Sequence, residues 1–275
     1  MTTTLRPTAP ERRTEDGGRS RSYEIRVNSR PVGTVDLTTD HRFGPRVGRI
    51  AALAVDEPDR RRGRGTVAAL AAEEVLRGWG CERVEASVPA TARAALGLAA
   101  ALGYTERSRI MTKPLRTPPG LPAGSVARAM TEDEFTAWQA RAKARYAASW
   151  ADRGVPLVQA EAKAEADHAA LLPRGLATPD TALLVLAHDG TDVGTLWLAT
   201  GSPRPGGFVF GVDVDARHRG RGHGRTLMLL AERICLDAGL DTLGLNVFAG
   251  NTPALRLYDS LGYEPTEHHL YKPLL

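Results

Sequence analysis

Two basic glycine turns stand 159 positions apart in this chain of 275 residues: Arg60-x-x-Gly63-x-Gly65 and Arg219-x-x-Gly222-x-Gly224. The same offset carries Gly103 onto Gly262 and Lys113-Pro114-Leu115 onto Lys272-Pro273-Leu274, so no net gap separates these landmarks. Upstream, Val32-Gly33-Thr34 matches Val193-Gly194-Thr195 after a slip of two residues. A register held over so many positions marks a duplicated unit and limits the chain to one fold written twice. The expected organisation is a polar, disordered tail at 1–20, a first unit at 21–115, a proline-rich spacer at 116–124 and a second unit at 125–275.

Periodicity gives the order of elements in each unit. In the first, residues 23–27 and 31–37 read as a hairpin and 48–55 as a strand leading into the basic turn. Val67, Leu70, Ala71 and Val75 recur at helical spacing; a strand at 83–88, a helix ending at Leu102-Gly103 and a strand at 110–115 follow. The second unit adds two helices at its start, the first opened by the capping pair Thr131 and Glu134 and the second covering 157–172. A hairpin around Asp189-Gly190 comes next. Phe208, Phe210, Val212 and Val214 then alternate as one face of a half-buried strand, followed by the turn, a helix, a strand at 243–247 and a short helix capped by Asn251 or Thr252.

Three glycines among Arg219, Arg221 and Arg225 let the backbone approach a ligand, and the helix that follows presents unpaired N–H groups at its positive end. Such a turn suits a phosphorylated anion. Two nucleotide readings fail: a Walker loop needs a lysine that is absent here, and the dinucleotide fingerprint needs a small residue where Arg225 stands. The pattern Arg219-x-x-Gly222-x-Gly224 after Val212-x-Val214 instead resembles the acyl-CoA signature of the GCN5-related N-acetyltransferases (the GNAT family). The string Asn251…Ala254…Leu257-Tyr258-x-x-Leu261-Gly262-Tyr263 resembles that family's next motif.

The resemblance implies an α/β (α+β) protein of two tandem GNAT folds, each a mixed, mostly antiparallel sheet flanked by helices, with the N-terminal copy truncated and degenerate. It implies acetyl-CoA as acyl donor, with Val212, Val214, Arg219, Gly220, Arg221, Gly222, His223, Gly224, Arg225, Asn251 and Tyr258 around it. It makes Tyr258 the general acid toward the CoA sulfur, a backbone N–H near Val214 the donor to the thioester carbonyl, and Asp213 the candidate base. Arg60, Gly63, Arg64 and Gly65 are the candidate second CoA site. The two opening helices of the second unit would wall the acceptor pocket, so Trp138, Tyr146, Trp150, Glu161, Asp167 and His168 either meet substrate or serve as core and solvated face. At 159 positions before Asp213, Asn251 and Tyr258 stand Ala54, Ala92 and Ala99, which places the expected chemistry in the C-terminal copy. The reading is transfer to a primary amine of a small molecule or peptide by direct attack; the alternative is a non-catalytic acyl-CoA-binding or sensing protein.

Other classes are set aside by composition. The net charge of +4 is mildly basic, and no aromatic stacking platform is interleaved with the arginines, so no nucleic-acid partner is expected. No segment approaches a membrane span and the N-terminus has no apolar core of a secretory signal, so a cytoplasmic protein without a membrane partner is expected. Cys81 and Cys235 read as small buried hydrophobes. His268 and His269 are adjacent and would face opposite ways on a strand; no metal is expected.

Overall fold

Thirteen strands and six helices occur among the residues that the computed structural model describes, 3–15, 17–39, 46–201 and 206–274. The first half of the sequence runs β1 (Thr3–Pro7), β2 (Arg12–Arg13), β3 (Arg19–Val27), β4 (Arg30–Thr39), β5 (Val47–Val55), α1 (Arg64–Gly78), β6 (Arg83–Pro89), α2 (Arg93–Ala101) and β7 (Thr105–Pro114). The second half runs β8 (Ser125–Ala129), α3 (Glu132–Ala151), α4 (Leu157–Leu171), β9 (Thr181–His188), β10 (Thr191–Ala199), β11 (Gly207–Val214), α5 (His223–Asp237), β12 (Thr242–Phe248), α6 (Thr252–Ser260) and β13 (Glu264–Pro273). Contacts divide the chain into Met1–Ser108 with Glu267–Leu275, and Arg109–Thr266.

In the first unit the strand order is β1-β3-β4-β5-β6-β13, with β2 paired to β3. The β3–β4 hairpin turns through Asn28 and Ser29, both at positive φ, the tight turn whose twist suits flanking strands. The polar tail expected at 1–20 is instead an edge: Thr3 lies opposite Val27 and Pro7 opposite Tyr23, and Leu5 packs on the core of Ile25, Val35, Leu37 and Leu76. Pairing and one half-buried leucine hold it; residues 1, 2 and 16 lie outside the described residues.

In the second unit the order is β8-β9-β10-β11-β12-β7. Leu186, Leu196, Leu198, Val209, Leu243 and Leu245 of this sheet meet Leu227, Met228 and Ala231 of α5 in the larger core. The capping box forms as expected: Thr131 Oγ1 accepts from the Glu134 amide at 3.3 Å, and the Glu134 carboxylate accepts from the Thr131 amide at 2.8 Å. Helices α3 and α4 have no counterpart between β1 and β3, so the first copy is the truncated one.

The units do not coincide with the sequence halves at their ends. It is β13 that completes the sheet of the first unit, Pro273 opposite Arg83 and Glu267 opposite Pro89. Residues 109–114 of β7 belong to the second. The same anchor closes each sheet: Leu274 N donates to Glu82 O at 2.7 Å, and Leu115 N to Asp241 O at 2.6 Å. Both end strands finish in Lys-Pro-Leu, so either satisfies either sheet, and the pattern does not reveal which goes where.

The strand before each turn carries a bulge. Trp197 faces Gly211 and Leu198 faces Val209, which leaves Phe210 as the extra residue; in the first unit Ala51 is extra between Ile50 and Ala52. The expectation of one continuous face through Phe208, Phe210, Val212 and Val214 is therefore corrected. Val209, Val212 and Val214 join the α5 core, while the Phe210 ring lies 4.9 Å from both Phe208 and Trp197. A second event coincides with the bulge: β11 runs parallel to β12 only from Gly207 to Val209, and β5 to β6 only from Val47 to Ile50. Beyond those residues the strands part.

Candidate active site

The parted end of β11 leads into the turn. Asp215 N donates to Val193 O at 3.0 Å, toward β10. Strand alternation therefore turns the Val214 and Val212 amides the other way, into the gap left by β12. Asp215 Oδ1 caps the short turn Ala216–His218 through the Arg217 amide at 2.9 Å. Gly220 and Gly222 then take φ of 76° and 89°, where side chains are disfavoured. A Cβ at either would meet nothing within 4 Å, so backbone angle and open space, not crowding, call for glycine. Gly222 caps α5 without a side-chain hydrogen bond, so the first amides of the helix have no side-chain acceptor at its N-cap. A Cβ at Gly224 would stand 3.3 Å from Leu257 Cδ2, and glycine here lets α5 approach α6.

The basic side chains divide. Arg219, Arg221 and Arg225 are exposed. Arg219 Nε donates to Val214 O at 3.1 Å, and Arg225 Nη2 to Ser260 Oγ at 2.6 Å. The His223 ring turns inward, 5.0 Å from the His188 ring and 6.3 Å from His218. Burial, then the charges of His188, His218 and Arg221, push its pKa below the ordinary value. It offers the turn its amide, while its ring is neutral packing.

On the face opposite α5, Asp213 lies across from Thr195 and pairs with Arg145 of α3, Oδ2 to Nη1 at 2.9 Å. Sequence reasoning missed Arg145, because no motif ties a residue of an inserted helix to a particular strand position. Asn251 Oδ1 accepts from the Ala254 amide at 3.3 Å, which occupies it as the cap of α6. Tyr258 is buried at the end of α6, its ring 6.0 Å from that of Tyr263, and burial pushes its hydroxyl up to about 12.

The residues of α3 and α4 singled out from sequence mostly pack. Trp138 meets Trp197 edge-on at 5.4 Å, Trp150 meets Phe248 edge-on at 5.8 Å, and His168 lies 5.0 Å from Trp197. Burial, then the charge of Lys143, lowers the His168 pKa. The Tyr146 hydroxyl donates to Asp167 Oδ2 at 2.8 Å, and Lys163 Nζ reaches the same oxygen at 2.6 Å. Glu161 is exposed.

The first unit repeats the outline of the turn. Arg60 Nε donates to Val55 O at 2.8 Å, Gly63 caps α1 at φ 73°, and a Cβ at Gly65 would sit 3.4 Å from Leu98 Cδ2. Arg64, expected among the anion ligands, is instead buried on Asp59, which Arg30 also grips at 2.7 and 2.9 Å. A buried carboxylate requires a partner, and Arg64 supplies it rather than facing the turn.

A strand that parts after a bulge, feeding a glycine turn and a helix N-terminus, occurs in both units. The family model for the acetyltransferase (GNAT) family matches the chain twice, at residues 2–104 and 134–263. The chain belongs to the GNAT family as a tandem member, and it is an N-acetyltransferase. It is 32% identical over 222 residues to a mycothiol acetyltransferase of Thermomonospora curvata, spanning 78% of this chain and 70% of that one. It is 34% identical over 220 residues to a mycothiol acetyltransferase of Thermobispora bispora, spanning 74% and 68%. Among solved structures, a GCN5-related N-acetyltransferase from Sphaerobacter thermophilus superposes with TM-score 0.59 at 20% identity, covering 92% of this chain and 80% of that one. A tandem GNAT protein from the clavulanic acid biosynthesis pathway superposes with TM-score 0.51 at 21% identity, covering 94% and 84%. Both show the fold. Among the described residues no helix is long and apolar enough to cross a membrane.

Proposed function

We propose that the second unit transfers the acetyl group of acetyl-CoA to a primary amine by direct attack. The observation that carries this reading is that an open anion turn and the groups able to donate or accept a proton occur together there, while Ala54, Ala92 and Ala99 stand at the matching positions of the first unit. The left-handed Gly220 and Gly222, with space where side chains would be, fit a pyrophosphate held by the first amides of α5 and by Arg219, Arg221 and Arg225. The gap-facing Val214 N–H polarises the thioester carbonyl, an oxyanion-type role. The amine nitrogen forms the new bond to the carbonyl carbon as the C–S bond breaks; its proton leaves to a base, and the sulfur leaves as thiolate or thiol.

Two groups divide the proton handling. Tyr258, held near 12 by burial, keeps its proton throughout neutral pH. An alkyl thiol of ordinary pKa about 8.5 lies well below it, so Tyr258 stabilises the departing sulfur as a hydrogen-bond donor and solvent completes the protonation. Asp213 can accept the ammonium proton, directly or through water, once the acceptor displaces Arg145 from it.

Thiol release from acetyl-CoA, measured with amino acids, free-amine peptides, amino sugars and the deacetylated form of mycothiol, tests the reading. Binding of acetyl-CoA without turnover on any of these amines overturns it. With an accepted amine, Tyr258→Phe should lower kcat by on the order of a hundredfold while acetyl-CoA affinity holds. Asp213→Asn should displace the acidic limb of the pH–rate profile; an unmoved limb removes Asp213 as base.

A further inference from the structure

Each unit contains the same Lys–Glu–Tyr cluster, and in each the lysine comes from the opposite half of the sequence. In the second unit Glu232 is buried on α5, and Lys113 Nζ lies 2.8 Å from each of its carboxylate oxygens. The Tyr263 hydroxyl donates to Glu232 Oε1 at 3.2 Å, and the Lys113 ammonium stands 5.7 Å above the Tyr263 ring. In the first unit Glu73 is buried on α1, Lys272 Nζ lies 2.7 Å from its Oε2, and the same ammonium stands 5.7 Å above the Tyr104 ring. Each residue is 159 positions from its twin.

The clusters differ in what they hold. Tyr263 touches α6 twice: its amide donates to the Tyr258 carbonyl at 3.1 Å, closing the helix, and its ring meets the Tyr258 ring at 6.0 Å. The Tyr258 hydroxyl has no hydrogen-bond partner among the described residues, so its direction is set by packing and by the close of its helix. In the first unit the Tyr104 amide closes α2 in the same way, on the carbonyl of Ala99 at 3.0 Å. The cluster there fixes a helix end that carries no hydroxyl.

We propose that Lys113, a residue of the first sequence half, is a positioning residue for the reaction: through Glu232 and Tyr263 it fixes the direction of the Tyr258 hydroxyl at the CoA sulfur. Glu232 binds lysine and tyrosine at once, so loss of the ammonium frees the carboxylate to shift and releases the ring that backs Tyr258. The inference rests on the reading of Tyr258 as donor to that sulfur. It also gives the degenerate first half a part in the chemistry of the second unit: its last strand delivers the lysine.

The test needs no acceptor amine. Affinities of the full chain for CoA and for desulfo-CoA, which lacks the sulfur, are measured by calorimetry at pH 9. There an alkyl thiol is largely thiolate, and Tyr258 still holds its proton. The wild type should prefer CoA by on the order of tenfold, the size of one charge-assisted hydrogen bond. Tyr258→Phe should abolish the preference, and Lys113→Met and the milder Tyr263→Phe should reduce it to less than half, all with desulfo-CoA affinity unchanged. Their first-unit twins Lys272→Met and Tyr104→Phe should keep it whole at a similar loss of melting temperature. If Tyr258→Phe abolishes the preference while Tyr263→Phe and Lys113→Met match their twins, the positioning role is overturned and the Tyr258 reading stands. If the wild type shows no preference, or Tyr258→Phe retains it, the Tyr258 reading falls and the inference with it.

Discussion

Arg60 and Arg219 each fold back onto the carbonyl of the strand before them, Val55 and Val214, and each leads through left-handed glycine into a helix. Beneath this shared outline the two turns rest on different chemistry. The first sits on a buried cluster of fixed charges, Arg30, Asp59 and Arg64. The second sits on the rings of His188, His218 and His223, with His223 buried and held toward its neutral form. Arg60, Arg61 and Arg62 remain exposed, so the first turn keeps cationic groups. What it lacks is the set at Asp213, Asn251 and Tyr258. The difference teaches that the outline of the turn is a property of local backbone, and persists where alanines stand at the positions of Asp213, Asn251 and Tyr258.

Four measurements break or sharpen this contrast. Asp59→Ala should cost about 3–5 kcal/mol in urea unfolding, since it strands the buried Arg64 guanidinium. His218→Ala, its counterpart, should cost less than about 1 kcal/mol, and equal losses would mean that the two turns rest on the same kind of foundation. Next, Arg219→Ala should weaken acetyl-CoA binding by about 1.5–3 kcal/mol, the range for a hydrogen bond to a charged group. Arg60→Ala should leave binding unchanged; a second binding event that vanishes with it would make both turns ligand sites. Smaller still, Gly222→Ala and Gly63→Ala should each cost on the order of 1 kcal/mol in thermal unfolding, because φ of 89° and 73° strain any residue with a Cβ. A much larger loss at one position would show that the turns differ in backbone as well as side chains.

A last effect is one the units should share. Burial pushes the thiols of Cys81 and Cys235 each up to about 11. Because the folded value lies above the unfolded one, the contribution is whole below about pH 8.5 and is lost as pH rises toward 11, where the unfolded chain ionises first. Melting temperature should therefore fall across that window, and Cys81→Ala and Cys235→Ala should each flatten the fall. A fall that ignores both substitutions would assign alkaline instability to other groups, Tyr258 among them.

Much of the molecule was legible because it is local. The capping box of α3, the hairpin at Asp189-Gly190, both glycine turns and the Asn251 cap depend on residues within a few positions of one another. Their chemistry survives in the one-dimensional string. The Phe210 bulge was not legible, because an alternating apolar run reads the same whether or not one residue is squeezed out of register. The roles of Arg64 and Arg145 were hidden too, since each depends on which carboxylate the fold brings near it.

By itself, then, the sequence determined that one fold is written twice, where its turns fall, and that Asp213, Asn251 and Tyr258 of the second copy answer to alanines in the first. Only the tertiary structure decided which copy each end strand completes, and therefore which glutamate receives Lys113 and which receives Lys272. Two endings with the same Lys-Pro-Leu offer a sheet edge the same hydrogen bonds and the same charge. The choice between them lies in how the whole chain closes, and no short run of residues carries it.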